Sequence, residues 1–226
     1  MIASSLPMTA ASPHVILPLF PLGTTLFPQG LLPLRVFELR YLAMIGECHK
    51  AGQPFGVVSL TQGAEVRVPG ANAEQFAHVG TLARITQLSR PQPGLLVIEC
   101  LGLQRFRIHS RSQQKNGLWT AQTQLLPDEA AQAIPADLQH TVTALQRLVQ
   151  TLQSRHDLQA ATGAPAPRLP VSQPYRWDDG GWVANRWCEL LPIQSELRQR
   201  LLELDSPLLR LELVSDLLAR TGIAQG

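Results

Sequence analysis

The chain has 226 residues, of which 45% are hydrophobic and 16% charged, with a formal net charge of +2. That length suffices for one large or two small hydrophobic cores, and no apolar run approaches the roughly 20 residues that span a bilayer. So weak a charge supplies no long-range field for a polyanion, and a nucleic-acid role would have to rest on a local basic patch.

Residues 1–13 carry no basic side chain ahead of an apolar stretch, so they lack the pattern of a secretory signal and are expected to form a disordered tail. Three cysteines, Cys48, Cys100 and Cys188, are odd in number and far apart, which disfavours a disulfide framework or a zinc site and fits a cytoplasmic protein. Val15–Phe20 reads as a strand ended by Pro21 and Gly23, and Thr24–Phe27 briefly resumes extended structure. Pro28, Gln29 and Gly30 then predict a turn, with glycine taking positive φ. Leu31–Phe37 is a second strand, and Pro33 marks it as an edge or a bulge.

From Glu38 to Lys50 the period becomes helical, with Leu39, Leu42, Met44 and Ile45 on one side and Gly52 and Pro54 as stops. Phe55–Leu60 is a third strand, and Thr61–Glu74 a loop in which no period survives. Four strands follow as a meander: Val79–Leu88, Leu95–Leu101, Gln104–His109 and Trp119–Leu126, with turns at Pro91–Gly94 and Asn116–Gly117. Strands this closely spaced, with one early helix, imply a small, mostly antiparallel, barrel-like sheet over residues 14–127.

After Pro127 the pattern is helical. Leu138, Val142, Leu145, Val149 and Leu152 form an apolar stripe on a long helix. Residues 163–181, with Pro165, Pro167, Pro170 and Pro174, predict a long loop. Asp178 or Asp179 can cap the next helix, Gly181–Leu190, and Ser195–Leu204 and Pro207–Arg220 complete a bundle over residues 128–226. The fold class is therefore α+β: a barrel-like sheet followed by helices.

Candidate chemistry is sparse. Arg105, Arg107, His109 and Arg111 alternate with Phe106 and Ile108, which predicts a basic row on one strand face able to meet an anion or RNA backbone. A solvated outer face explains the same pattern, and no stacking aromatics interleave with it. Cys48 and His49 are adjacent on a helix and point about 100° apart, so they do not form a nucleophile–base pair. The histidines show no i, i+4 pairing, and neither a metal nor a cofactor is expected. Of Phe20, Phe27, Phe37 and Tyr41 most belong in a core, and loops with prolines beside aromatics could display one or two of them to an apolar peptide. Trp177, Trp182 and Trp187 are read as core.

The stretch LPLFPLGTTLFPQGLLPLRVFELRY, from Leu17, resembles the signature of the amino-terminal substrate-recognition domain of Lon protease, as found in small stand-alone bacterial proteins. The similarity continues in PFGVVSL, VGTLARITQL and LLVIECLGLQRFRI, and more loosely in LLPIQSELRQRLLELDSPLLRLELVSDLL. It departs where the family usually has Phe-Pro-Gly and this chain has Phe27, Pro28, Gln29, Gly30, and where Glu-Pro-Arg-Tyr is replaced by Glu38, Leu39, Arg40, Tyr41. The 163–181 loop resembles a local insertion.

The resemblance implies a PUA-like sheet subdomain, a helical subdomain and a role in recognising polypeptides. In full-length Lon this domain precedes an ATPase and a serine–lysine peptidase. The sequence contains no Gly-x-x-x-x-Gly-Lys-Ser/Thr loop, and Lys50 and Lys115, its only lysines, lie in polar surroundings that would not depress a pKa. The expected function is non-catalytic binding of unfolded or apolar polypeptide segments, with RNA binding through Arg105, Arg107 and Arg111 as the alternative.

Overall fold

A computed structural model describes residues 14–65, 74–163, 169–171 and 173–221. The expected tail, and parts of the loops after residues 61 and 163, fall outside these. The observed elements are strands β1 (His14–Leu22), β2 (Leu31–Val36), β3 (Phe55–Gln62), β4 (Gln75–Phe76), β5 (Val79–Gln92), β6 (Leu95–Gln113) and β7 (Trp119–Leu125). The helices are α1 (Leu39–Ala51), α2 (Gln139–Ala161), α3 (Gly180–Leu190), α4 (Ser195–Glu203) and α5 (Pro207–Thr221).

Five strands close on themselves in the order β1-β7-β6-β5-β3, with β1 and β3 parallel and the other neighbours antiparallel. β4 adds to β3 and β2 to β6. Closure uses β1 twice, since His14–Leu19 pairs with β7 and Leu19–Leu22 with β3. This is why β1 runs past the break expected at Pro21. Pro18 and Pro21 each lie where the strand has a single neighbour, and a missing N–H costs nothing on the open side.

The two expected strands of residues 95–101 and 104–109 are one 19-residue strand, β6. Its first part pairs with β2 and its last with β7, while β5 runs along it with several register shifts. Such bulges bend and twist a long strand, letting one hairpin serve both the closed barrel and its extension. Inside, the Phe106 ring occupies the space that side chains at Gly56 and Gly80 would fill: a Cβ at either would lie 2.7 Å from its Cζ.

Helix α1 buries Arg40, Tyr41, Met44, Ile45 and Cys48, whereas Leu39 is 84% exposed. The apolar face is thus rotated by about a residue from the one predicted, because Tyr41 stacks on Phe20 at 4.0 Å between ring centroids and Arg40 turns inward to Glu74, 3.0 Å away. Gly52, at φ 64, terminates the helix as expected.

The helical core holds Leu138, Val142, Leu145 and Val149 of the predicted stripe together with Trp182, Trp187, Leu211, Val214 and Leu218. Asp179 caps α3, accepting from the Gly181 amide at 3.1 Å. One member of this core comes from the sheet. Phe27, fully buried, leaves the connection between β1 and β2 and inserts among the helices. Because Phe27 is a large side chain fully buried in the helical core, Phe27→Ala should lower stability by about 3–5 kcal/mol. Urea unfolding monitored by tryptophan fluorescence should show an earlier midpoint.

Candidate functional site

The Phe27–Gly30 turn is where the barrel meets the helices. The Gly30 amide donates to the Phe27 carbonyl at 3.0 Å, and the positive φ falls on Gln29, at 62°, rather than on glycine. Gly30 is required for a different reason: a Cβ there would collide with the Glu189 carboxylate. Gly102 of β6 holds the turn from below, accepting from the Gln29 amide at 2.7 Å and donating to the Gly30 carbonyl at 2.8 Å.

From above, Arg186 of α3 donates to the carbonyls of Gln29 and Pro28 at 2.6 and 2.9 Å. It is itself held by Glu189 at 2.8–2.9 Å. Burial pushes the Glu189 carboxyl up to about 7, outweighing the opposing pull of Arg186 and Arg198.

A second junction surrounds Glu129, which follows β7. Arg210, fully buried on α5, grips both of its oxygens at 2.7 and 2.9 Å and also donates to Asn185 and to the Leu201 and Leu204 carbonyls. Arg105 reaches the same carboxylate at 3.2 Å and donates to the carbonyls of Leu202 and Leu204, which end α4. Gln199 forms a third tie, donating to the Val79 carbonyl and accepting from Ser59.

Between the first two junctions lies a cleft of about 510 Å³, lined by Leu101, Leu103 and Pro127 from the barrel side and by Arg176, Asp179 and Trp182 from the helical side. Of the charges lining it, Arg176 pairs with Asp179 at 3.0 Å and Arg105 with Glu129, while Asp128 is exposed.

The basic row expected on one strand face does not form. Arg105 is 3% exposed and serves the barrel–helix junction, while Arg107, two residues on, is exposed. Between Ile108 and Ser110 β6 carries one more residue than β7, and this bulge exchanges the faces of everything beyond it. Arg107 pairs with Gln124 but Arg111 with Ala121, three residues away and hence on the opposite face. Arg111 instead lies over the rings of Phe76 and Trp119, 4.6 and 5.6 Å from their centroids.

Of the aromatic candidates, Phe20 and Tyr41 are buried beneath α1 and Phe27 in the helical core, while Phe37 is 55% exposed. Sequence reasoning missed Glu129, Arg186 and Arg210. The signal available was an arginine on an otherwise apolar helical stripe: Arg210 precedes Leu211, Val214 and Leu218, and Arg186 lies between Trp182 and Trp187.

The model of the family described as the ATP-dependent protease La (LON) substrate-binding domain matches residues 16–220, across barrel, turn and helices alike. The chain belongs to this family. Lon protease 2 of Myxococcus xanthus is 35% identical over 115 residues, 47% of this chain and 14% of that protein. Protein cereblon of Gallus gallus is 28% identical over 170 residues, 74% of this chain and 30% of that protein. The chain therefore spans less than a third of either relative.

Among solved structures, a Lon N-terminal domain protein from Xanthomonas campestris superposes with a TM-score of 0.67 at 28% identity, covering 89% of this chain and 98% of that one. The N-terminal domain of a Mycobacterium avium complex Lon protease superposes at 0.55 with 15% identity, a likeness of fold. Among the described residues no three His, Cys, Asp or Glu side chains converge, and no helix is long and apolar enough to cross a membrane.

Two measurements probe these junctions. Arg105→Met should cost on the order of 3 kcal/mol, because it removes one partner of a buried charge network. Arg107→Met should stay within about 0.5 kcal/mol, and equal losses in urea unfolding would contradict the assignment. The raised carboxyl of Glu189 means that the folded state holds a proton that the unfolded chain has already released. Stability from this group is therefore full at low pH and lost as pH rises through about 7. Thermal unfolding should show a decline of about 1–2 kcal/mol between pH 5.5 and 8 that Glu189→Gln flattens.

Proposed function

We propose that this chain is a non-catalytic recognition module for polypeptide segments that are unfolded or extended and apolar. The observation that carries the reading is the family match, which embraces both halves of the fold and the turn that locks them together. The chemistry of the molecule supports binding rather than catalysis. The thiols of Cys48, Cys100 and Cys188 are buried and pushed upward by burial, the last two to about 12, which makes them poor nucleophiles.

Two surfaces can receive such a segment: the cleft, whose apolar strip of Leu101, Leu103 and Pro127 runs beside the Arg176–Asp179 and Arg105–Glu129 pairs, and the outer side of β2, where Phe37 and Leu39 are exposed. A permanently unfolded, thiol-blocked protein should bind the chain at least about tenfold more tightly than the same protein folded, as read by fluorescence anisotropy. Equal affinities for the two forms would remove this function.

A further inference from the structure

β2 is an open edge beside a closed barrel. Among the described residues it pairs only with β6, through its whole length from Leu31 to Val36. Its other side presents backbone carbonyls and, except at Pro33, backbone N–H donors that another extended chain can satisfy. Beside β2, two hollows meet at Pro33. One, of about 290 Å³, is lined by Phe20, Leu34, Phe37 and Tyr41; the other, of about 360 Å³, by Leu26, Leu32 and Leu190. Leu32 and Val36, four residues apart on the same face, are separated by about 13 Å, so successive inward side chains of an added strand reach both hollows.

Charge narrows the occupant further. Of the carboxylates bordering the trough, Glu38 pairs with Arg40 at 3.2 Å and Glu189 with Arg186, while Glu65 accepts from the Gly23 amide at 2.6 Å and keeps its charge. Arg35, exposed on the outward face of β2, has no ion-pair partner among the described residues. Among the described residues Arg35, Arg198 and Glu65 line the trough without an ion pair, and of these Arg35 alone stands on β2, flanked by apolar inward positions.

We infer that an extended polypeptide adds as a strand to the free edge of β2, with an acidic residue opposite Arg35 and apolar residues on either side of it. Main-chain hydrogen bonds supply most of the affinity, and the cross-strand pair with Arg35 sets register and preference. This inference rests on the polypeptide-binding reading and gives it a surface, a backbone conformation and a sequence preference.

The test uses the full chain and three fluorescein-labelled heptapeptides of alternating valine and threonine. One has a central glutamate, one a central lysine, and one the central glutamate with alternate amides N-methylated. In anisotropy titrations the glutamate peptide should bind at least about threefold more tightly than the lysine peptide. N-methylation should abolish binding, and Arg35→Glu, a surface change that leaves folding intact, should reverse the preference. Equal binding of all three peptides, or a preference that Arg35→Glu leaves unchanged, overturns strand addition.

If the unfolded protein still binds in that case, polypeptide recognition stands and belongs to the cleft. If the unfolded protein does not bind either, the functional reading itself fails. Sedimentation of the free chain decides between a foreign strand and a second copy: a monomer is expected, and a dimer dispersed by Arg35→Glu would overturn the assignment of the edge to a foreign polypeptide.

Discussion

The fold depends on one aromatic ring placed on the wrong side of its own connection. Phe27 is part of the segment that joins β1 to β2, yet it is buried in the core of the helices that follow some hundred residues later. A ring of that size, removed from water on all sides, ties two layers that would otherwise be independent cooperative units. The turn that presents it has little freedom to move, since Gly102 holds its backbone from the barrel and Arg186 holds its carbonyls from α3. The residues that make the family's signature recognisable are thus residues of a joint, and their chemistry is structural.

The rest of the joint is built with arginine. Arg105, Arg186 and Arg210 are each almost wholly buried, and each donates to main-chain carbonyls as well as to a carboxylate. Carbonyls at helix ends lack intrahelical partners, and a guanidinium with five donors can satisfy several at once; Arg105 and Arg210 share the Glu129 carboxylate, while Arg186 has Glu189. Networks of this kind add specificity of arrangement, because any other docking of barrel against helices would strand a buried charge.

Closure of the barrel has the opposite consequence at its margin. By pairing β1 with β3, the sheet removes the edges that an open sheet would expose. β2 is left outside that ring, paired among the described residues with β6 alone, with Pro33 in its middle and Phe37 just past its end. Proline protects an edge from casual pairing by withholding a donor, so a partner must match this strand in side chains as well as in backbone. An edge that is available yet selective suits the polypeptide binding proposed above.

Much of this was written in local sequence. The order of the main strands and the five helices, the α1 stop at Gly52, the apolar stripe from Leu138 to Val149 and the Asp179 cap follow from periodicity and backbone preference, which act over a few residues, whereas the merging of two expected strands into β6 and the short β4 do not. The motifs beginning at Leu17 carried the family. What local pattern could not decide is which face of an element another element would cover. Alternation put Arg105, Arg107 and Arg111 on one row, but a bulge at His109 turned Arg111 over and the end of α4 covered Arg105. A helical period placed Leu39 inside, but the stacking of Tyr41 on Phe20 rotated α1 and left Leu39 in solvent. Phe27 looked like any aromatic beside a proline. Strand register and helix docking are settled by contacts between residues distant in sequence, whose free energies exceed local preference. The sequence alone therefore determined the elements and the family, and the tertiary structure decided which arginines are buried, which phenylalanine is displayed and which edge is left open.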